Sequence, residues 1–311
     1  MKVSFNRRPP HGPWGGGASF VENMSKFLYE KGHDVVFDLS NDIDLIFMID
    51  PRPNSESYSV QDIFNYKNYF PNTKIFHRVN ECDKRKNTNF IDNLILQSSK
   101  ITDVTVFISS WLESYFFDKG FNKKSQVVYN GCNNNFFFDK ERNSAHTPIK
   151  LVTHHWSDNW MKGFDIYSEI DKYVSERDDL EFTYIGRYCK EYTPVNTNII
   201  LPISGADLAS ELRNHDIYVT ASRWEPCGMH HIEGSACGLP VLYHQDGGGI
   251  NELCKNHGEE FNNFNTFLDK LNVIKNNYSE YINKIDHDFL SSSRCCDEYY
   301  EIIKSLMNIE Q

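Results

Sequence analysis

The most informative segment of the sequence runs from Ser222 to Glu252 and reads SRWEPCGMHHIEGSACGLPVLYHQDGGGINE. It follows a short apolar run, Asp216 to Thr220, that predicts a buried strand. Within the stretch, Met229 to Ala236 has the pattern of a helix, and Pro240 to Tyr243 has that of the next strand. The order strand, helix, strand is typical of a parallel sheet, because parallel strands need a crossover connection.

The same alternation extends towards the amino terminus of this half of the chain. Strand patterns occur at Lys150 to His154, Glu181 to Ile185 and Asn198 to Leu201, and helical patterns occur at Phe164 to Val174 and Leu208 to Leu212. Together these elements predict a doubly wound α/β domain. Ligands of such domains bind at the carboxyl ends of the strands.

The first half of the chain repeats this organisation. Its short apolar runs are rich in Val, Ile, Phe and Tyr, as expected for strands buried on both faces of a parallel sheet. The runs are Lys2 to Phe5, Asp34 to Leu39, Asp44 to Ile49, Lys74 to Val79, Asp103 to Ser109 and Gln126 to Tyr129. Between the first two, apolar residues from Phe20 to Leu28 recur at helical spacing and Gly32 ends the pattern. A second doubly wound domain is therefore predicted.

A segment rich in asparagine and charge, Asn130 to Pro148, predicts a linker between the halves. We predict two Rossmann-like domains, residues 1–147 and 148–311, with the site in a cleft between them. The tail places Tyr299 and Ile303 on one helical face, so the last helix is expected to dock on the body, with the first domain as a candidate surface.

Composition excludes several classes of protein. The 311 residues carry a formal net charge of -11, which argues against a broad nucleic-acid surface, because phosphate binding needs clustered Lys and Arg. No run is long and apolar enough to span a membrane, and no signal peptide is recognisable at the start. The eight cysteines form no C-x-x-C pair, which favours reduced thiols over a zinc site. We expect a cytoplasmic protein.

Within the segment from Ser222 to Glu252, two carboxylates border the junction between a strand and a helix. Glu225 closes the strand, and Glu233 lies about two turns along the helix that Gly228-Met229 open. Carboxylates at such a place can accept hydrogen bonds from vicinal sugar hydroxyls, and the amides of a helix start attract anionic or hydroxyl groups. The alternative interpretation makes Glu225 a solvated loop residue and Glu233 a surface charge.

The stretch resembles the retaining nucleotide-sugar glycosyltransferases of family 4. The resemblance is carried by the E-x7-E spacing of Glu225 and Glu233, the E-P-C-G-M run, the A-C-G-L-P-V segment from Ala236 to Val241, and the G-G-x-x-x-E-like segment from Gly247 to Glu252. It implies the GT-B fold, two Rossmann-like domains facing across a cleft. It also implies that Glu225 and the following amides lie against the transferred sugar, while Glu233 holds the ribose. The residues that supply those amides are Cys227, Gly228 and Met229.

The first half resembles the same family more weakly. Gly15-Gly16-Gly17 resembles its glycine-rich loop, in which the missing side chains of Gly16 and Gly17 let the backbone approach the ligand. The rival interpretation, a G-x-G-x-x-G dinucleotide fingerprint, would need glycine where Phe20 stands. Val106 to Trp111, and Val127 to Asn130 with Gly131, resemble the landmarks V-x-x-S-x-W and V-x-x-N-G.

His77 follows the strand residues Lys74 to Phe76, where many members of the family have a histidine facing the reaction centre. There it could polarise a hydroxyl or donate to the leaving group. The alternative is a structural histidine. The polar residues that follow it could orient an acceptor; they are Arg78, Asn80, Glu81 and Asp83.

Lys162-Gly163 resembles the pair that contacts the donor diphosphate in the family. Such a cation stabilises the charge left on the departing diphosphate, so no metal is needed. Members of the family usually have an arginine five residues before this lysine, and that position is Ser157 here. The anion site is therefore weaker, or it is completed by another cation such as Arg187.

Three candidate metal motifs carry little weight. Asp42-Ile43-Asp44 precedes its strand instead of following it, which puts its carboxylates at the amino end. The pairs His154-His155 and His230-His231 consist of neighbours that point apart in a strand or helix. We predict no metal.

The function predicted from the sequence is transfer of a hexose-type sugar, with retention, in glycan biosynthesis. The donor is a nucleotide-diphosphate sugar, with UDP- or GDP-sugar favoured, and the acceptor is a glycan, a lipid-linked glycan or a glycoconjugate bound on the first domain. No cofactor is expected, and a peripheral membrane contact is left open. The alternatives are an epimerase or hydrolase of the same fold and a non-catalytic module that binds sugar nucleotides or glycans.

Overall fold

The computed structural model describes residues 1–9, 15–53, 58–138 and 144–309. The chain divides into two compact units, Met1–Tyr129 with Ser293–Gln311, and Asn130–Ser292. The expected boundary between residues 147 and 148 lies inside the second unit. Part of the expected linker, residues 139–143, lies outside the described residues.

The first unit is a six-stranded sheet in which every paired strand is parallel to its neighbour. Its strands are β1 Lys2–Phe5, β2 Asp34–Val36, β3 Leu45–Met48, β4 Lys74–Val79, β5 Val104–Phe107 and β6 Ser125–Val127, in the order β2-β1-β3-β4-β5-β6. Its helices are α1 Gly16–Glu30, α2 Val60–Tyr69, α3 Asp83–Lys86, α4 Ile91–Ser98 and α5 Ser110–Asp118, with a 3₁₀ turn at Ser99–Ile101.

The core of the first unit lies between its sheet and two helices. Phe47 and Phe76 of the central strands are fully buried, because strands covered on both faces are apolar throughout. Met24 of α1 packs on this core, and so do Tyr299 and Ile303 of the last helix, Ser292–Met307. The carboxyl-terminal helix is thus part of the first unit's core.

The second unit is also a six-stranded parallel sheet. Its strands are β7 Ile149–His155, β8 Leu180–Gly186, β9 Asn198–Ile200, β10 Ile217–Thr220, β11 Val241–His244 and β12 Gly258–Phe261, in the order β12-β11-β10-β7-β8-β9. Its helices are α6 Asn134–Phe137, α7 Phe164–Val174, α8 Gly205–Arg213, α9 Met229–Ala236, α10 Gly249–Cys254, α11 Phe264–Asn276 and α12 Tyr278–Asn283. The last helix, Ser292–Met307, is α13.

The strand orders place a candidate site in each unit. The order reverses between β1 and β3 in the first unit and between β7 and β10 in the second. Ligands of doubly wound sheets bind at the carboxyl ends of the strands beside such a reversal. The predicted fold class, two Rossmann-like α/β domains, is confirmed. Within the described ranges no helix is long and apolar enough to cross a membrane.

Candidate functional site

The segment after β10 carries a buried ion pair between two predicted site residues. Lys162 Nζ donates to Glu225 Oε2 at 2.5 Å, with the side chains only 10% and 5% exposed. Lys162 ends a 3₁₀ turn, and Gly163 after it has φ +92°. A Cβ on Gly163 would lie 2.3 Å from that of Ala221, so only glycine lets this turn approach the end of β10.

The backbone around Glu225 is held by two neighbouring loops. Its N–H donates to Gly247 O at 3.1 Å, and its carbonyl accepts from Gly249 N at 2.9 Å. Arg223 N donates to Met161 O at 2.9 Å, which joins the same segment to the 3₁₀ turn. Trp224, between them, has φ +51°, a strained conformation for a bulky residue. These contacts hold the Glu225 carboxylate at a defined position before α9.

The start of α9 depends on glycine and on a distant asparagine. A Cβ on Gly228 would lie 2.5 Å from the ring of His230 and 3.0 Å from Glu225 Cγ. Asn130 Nδ2 donates to Cys227 O at 2.7 Å and is buried. Of the residues predicted to line the sugar, Cys227 and Gly228 therefore lie in the turn before α9, and Met229 is the first residue of that helix. The sequence marked Asn130 only as a family landmark, without this contact.

The second predicted carboxylate, Glu233, is held by a histidine at the end of β7. His154 Nε2 donates to Glu233 Oε2 at 2.8 Å, and its Nδ1 lies 3.1 Å from the hydroxyl of Tyr218. The ring of Tyr218 packs on α9, where a Cβ on Gly234 would lie 2.3 Å from it. His154 is fully buried. A carboxylate, a histidine and a tyrosine thus form one chain beneath the site.

His155 and His230 each lie within hydrogen-bond distance of a hydroxyl, whereas neither ring nitrogen of the buried His231 finds a partner among the described residues. His155 Nε2 lies 2.8 Å from Tyr167 OH, and His230 Nε2 lies 2.9 Å from Thr220 Oγ1. Burial, with added repulsion from the charge of Lys162, holds the pKa of both imidazoles well below the ordinary value. Both are therefore neutral at pH 7. Among the described residues, no group of three His, Cys, Asp or Glu side chains is arranged to hold a metal ion.

Arg187, the other cation predicted for the anion site, is exposed just beyond the end of β8. Its Nη1 donates to Trp156 O at 3.1 Å, which ties it to the segment after β7. Gly186 has φ +122°, and a Cβ there would lie 2.0 Å from His155 O. Ser157, which stands where the family has arginine, accepts from Asn159 N at 3.3 Å.

In the first unit, His77 lies within a strand and not at its end. β4 continues to Val79, and His77 pairs in register with Met48 and Thr105. The side chain is 1% exposed, and Nδ1 finds no hydrogen-bond partner in the described part of the chain. Burial lowers the pKa of His77 to about 3, so the imidazole is neutral at physiological pH.

The glycine loop begins α1 directly. Gly15 occupies the N-cap position, with Gly16 and Gly17 as the first helical residues. No described atom comes within 4 Å of a Cβ built on Gly15, and one on Gly17 would lie 3.4 Å from Asn80 Nδ2. Packing of the described residues does not require glycine at residues 15 and 17. The preceding residues 10–14 lie outside the described ranges.

The D-x-D segment lies before β3, at the amino end of the strand. Asp44 Oδ2 accepts from Lys2 N at 2.7 Å, next to the start of β1. Asp42 has φ +62°, as in a turn. The two carboxylates thus belong to the edge of the sheet opposite the carboxyl ends of its strands.

Comparisons with known proteins agree with this architecture. Residues 176–289, within the second unit, match the family model described as glycosyl transferases group 1. No curated protein matches the chain by sequence. Sucrose-phosphate synthase from Thermosynechococcus elongatus is similar in structure, with a TM-score of 0.74 and 12% identity over 100% of both chains.

Two further solved structures are similar over nearly the whole chain. HepE of Anabaena, in complex with UDP and glucose, has a TM-score of 0.71 at 13% identity, covering 98% of this chain and 100% of its own. WaaG, a glycosyltransferase involved in lipopolysaccharide biosynthesis, has a TM-score of 0.68 at 12% identity, covering 97% and 99%. At these identities the similarity shows the fold, and the predicted GT-B fold is confirmed. The residues that match the family model all lie in the second unit.

Proposed function

We propose that the protein is a retaining glycosyltransferase of the family 4 type, which moves a hexose-type sugar from a nucleotide-diphosphate sugar to a hydroxyl acceptor. The observation that carries the proposal is the pair of anchored carboxylates around the start of α9. Glu225 is held by Lys162 at 2.5 Å and Glu233 by His154 at 2.8 Å. The group 1 domain supports it, as does the UDP-glucose complex of HepE, which favours a UDP-sugar donor.

In this proposal each carboxylate binds one part of the donor. Glu233, oriented by His154, accepts hydrogen bonds from the ribose hydroxyls. Glu225 and the backbone of Cys227, Gly228 and Met229 contact the transferred sugar. A fixed carboxylate is suited to this task because little conformational entropy is lost when the sugar binds.

Lys162 stabilises the departing diphosphate. In the structure its charge is paired with Glu225, and an entering diphosphate gives it a second anionic partner. Charge that develops on the leaving group in a partly dry site gains more from a fixed cation than it would in water. Arg187 adds a second, exposed cation, and the reaction proceeds without a metal.

In this proposal the first unit binds the acceptor. His77 is neutral, so it can orient a hydroxyl or donate a hydrogen bond but does not supply a positive charge at pH 7. The acceptor proton passes to the departing diphosphate, which the resemblance implies for retaining enzymes of this family. The chain itself needs no covalent nucleophile.

The decisive test begins with thermal unfolding in UDP, GDP, ADP and CMP. A nucleotide at about a hundred times its Kd stabilises the fold by roughly 2.7 kcal/mol, and one base should stand out. Sugars carried by that base are then supplied with a pool of acceptors and the products are identified. A new glycoside with retained configuration supports transfer, whereas an altered free sugar or no product would establish an epimerase or hydrolase, or a binding module.

Three variants separate the two carboxylates. Glu233→Ala should weaken binding of the free nucleoside diphosphate, and Glu225→Ala should mainly reduce use of the sugar, each about ten- to hundred-fold. Glu176→Gln is the control, since Glu176 is an exposed carboxylate of the same unit. If all three variants behave like the wild type, these glutamates do not form the donor site.

A further inference from the structure

A half-buried carboxylate in the first unit holds two arginines. Asp50 follows β3 and accepts from Arg52 Nε at 2.8 Å and from Arg52 Nη2 at 2.7 Å. Its second oxygen also accepts from Arg7 Nη1, at 3.1 Å, just after β1. The Asp50 side chain is 14% exposed, whereas those of Arg7 and Arg52 are 39% and 34% exposed. The half-buried carboxylate of Asp50 thus positions the two more exposed guanidinium groups of Arg7 and Arg52.

A second carboxylate with two cations lies next to the first. Glu81, after β4, binds Arg85 at 3.1 Å and Lys86 at 2.8 Å. Asp50 and Glu81 follow β3 and β4, which are adjacent strands of the sheet, so both groups stand at its carboxyl end. The pKa of Arg52 is raised chiefly by its hydrogen bond to Asp50, and the charges of Glu81 and Arg85 also act on it. Each carboxylate thus holds two cations, in a chain whose net charge is -11.

The Asp50 group is built rigidly. Asn6 Oδ1 accepts from Ile49 N at 2.7 Å, and Asn6 Nδ2 donates to the carbonyl of Asp50, so the ends of β1 and β3 are joined. Burial alone would raise the pKa of Asp50, but hydrogen bonds and charge from Arg52 and Arg7 outweigh it and the pKa lies below its ordinary value. The carboxylate therefore stays ionised and keeps the arginines in place.

The group also occupies the position in the sheet where a ligand is expected. Arg7 and Asp50 follow β1 and β3, the two strands between which the strand order reverses. On the adjacent strand, the charge of Asp50 acts on His77, whose Nδ1 has no partner among the described residues and is buried. His77 pairs with Met48, two residues before Asp50, so it lies just inside the sheet edge at which the cationic cluster stands.

We propose that Arg7 and Arg52, with Arg85 and Lys86 beside them, bind an anionic group of the acceptor, a phosphate or a carboxylate near the hydroxyl that is glycosylated. Guanidinium groups present two parallel N–H donors that match such oxyanions. Because Asp50 has already ordered the arginines, binding costs less conformational entropy than at free surface side chains. This inference deepens the proposed transferase function and rests on it.

The test compares a charged sugar with a neutral one. Glucose 1-phosphate and methyl glucoside are titrated calorimetrically into the full chain, with and without the nucleoside diphosphate that gives the largest thermal shift. The wild type should bind glucose 1-phosphate at least tenfold more tightly. Arg52→Gln should weaken that binding about tenfold and reduce its salt dependence, while Arg7 remains as a partner of Asp50.

Lys74→Gln is the matched control. Lys74 belongs to a similar group, in which Lys67 and Lys74 share Asp103 at the amino end of β4, and its side chain is 40% exposed. Equal binding of the two sugars, or an equal loss in Lys74→Gln and Arg52→Gln, would overturn the proposal. So would Arg52-dependent binding of phosphatidylglycerol vesicles without binding of glucose 1-phosphate, which would make the cluster a membrane contact.

Failure of the proposed function would look different. If the protein turns over no nucleotide sugar, the proposed transferase function is refuted. The titration of glucose 1-phosphate into the wild type and Arg52→Gln would still decide whether this cluster binds anions. Once a donor is known, glucuronic acid as acceptor distinguishes carboxylate from phosphate. A charged acceptor should be used at least tenfold more efficiently in kcat/KM than its neutral counterpart.

Discussion

The buried pair between Lys162 and Glu225 allows a quantitative test of the site. Lys162 Nζ and Glu225 Oε2 are 2.5 Å apart, and the two side chains are 10% and 5% exposed. Replacing either residue therefore leaves the other charge buried without this contact. Breaking such a pair costs about 3 kcal/mol or more, whereas removing both charges costs less than the sum. With an unfolding entropy of about 2.1 cal/mol/K per residue, 3 kcal/mol lowers the Tm of the 311-residue chain by roughly 4–5 °C.

The assay is a double-mutant cycle with Lys162→Met, Glu225→Gln and the double variant, followed by calorimetry and urea unfolding. We expect both single variants to be destabilised and the cycle to give a coupling energy of about 1–3 kcal/mol. The control pair is Lys270 with Glu259, 2.6 Å apart but with side chains 39% and 20% exposed. Lys270→Met should cost under about 1 kcal/mol. An additive cycle, or equal losses in the two lysine variants, would refute the reasoning.

Three further predictions concern the histidines and the leaving group. His154→Ala should weaken binding of the nucleoside diphosphate about tenfold, because Glu233 loses its hydrogen-bond donor at 2.8 Å. His154→Gln should recover part of the affinity. Equal affinities of His154→Ala and the wild type in calorimetry would contradict this role. Burial lowers the pKa of His231 to about 3 from 6.5, so only the unfolded chain takes up this proton between those values. This one group should lower the free energy of unfolding by about 1.4 kcal/mol per pH unit as the pH falls below 6.5, in addition to the contributions of His77, His155 and His230. His231→Leu should remove that share of the slope, and an unchanged slope in urea titrations from pH 7 to pH 5 would show that the imidazole titrates normally. Activity should survive EDTA, and Lys162→Met should lower kcat by at least a hundredfold without rescue by manganese; loss with EDTA and recovery with manganese would return Asp42 and Asp44 to consideration.

Local patterns in the sequence were sufficient for the sheet type and for the strands other than Gly258–Phe261, but they did not predict helices such as Val60–Tyr69 and Phe264–Asn276. Runs such as Leu45–Met48 are apolar at every position, which indicates a strand covered on both faces. The helix from Met229 to Ala236 was predicted at the bounds that the structure has. The spacing of Glu225 and Glu233 placed both carboxylates at one junction, because Gly228 starts the helix between them. These features depend on neighbours within a few residues, so the sequence alone determines them.

The hydrogen-bond partners of those carboxylates could not be predicted from local patterns. Glu225 meets a lysine 63 positions away, Glu233 a histidine 79 positions away, and the Cys227 carbonyl an asparagine 97 positions away. His154 attracted attention in the sequence as a metal-ligand candidate, and nothing local indicated that it would bond to Glu233. Such pairings follow from the order and register of β7 and β10, which long-range packing decides. Local patterns therefore placed Glu225 and Glu233 around the start of α9, whereas the position of His77 inside β4 and the partners of both carboxylates depend on contacts between residues distant in the sequence.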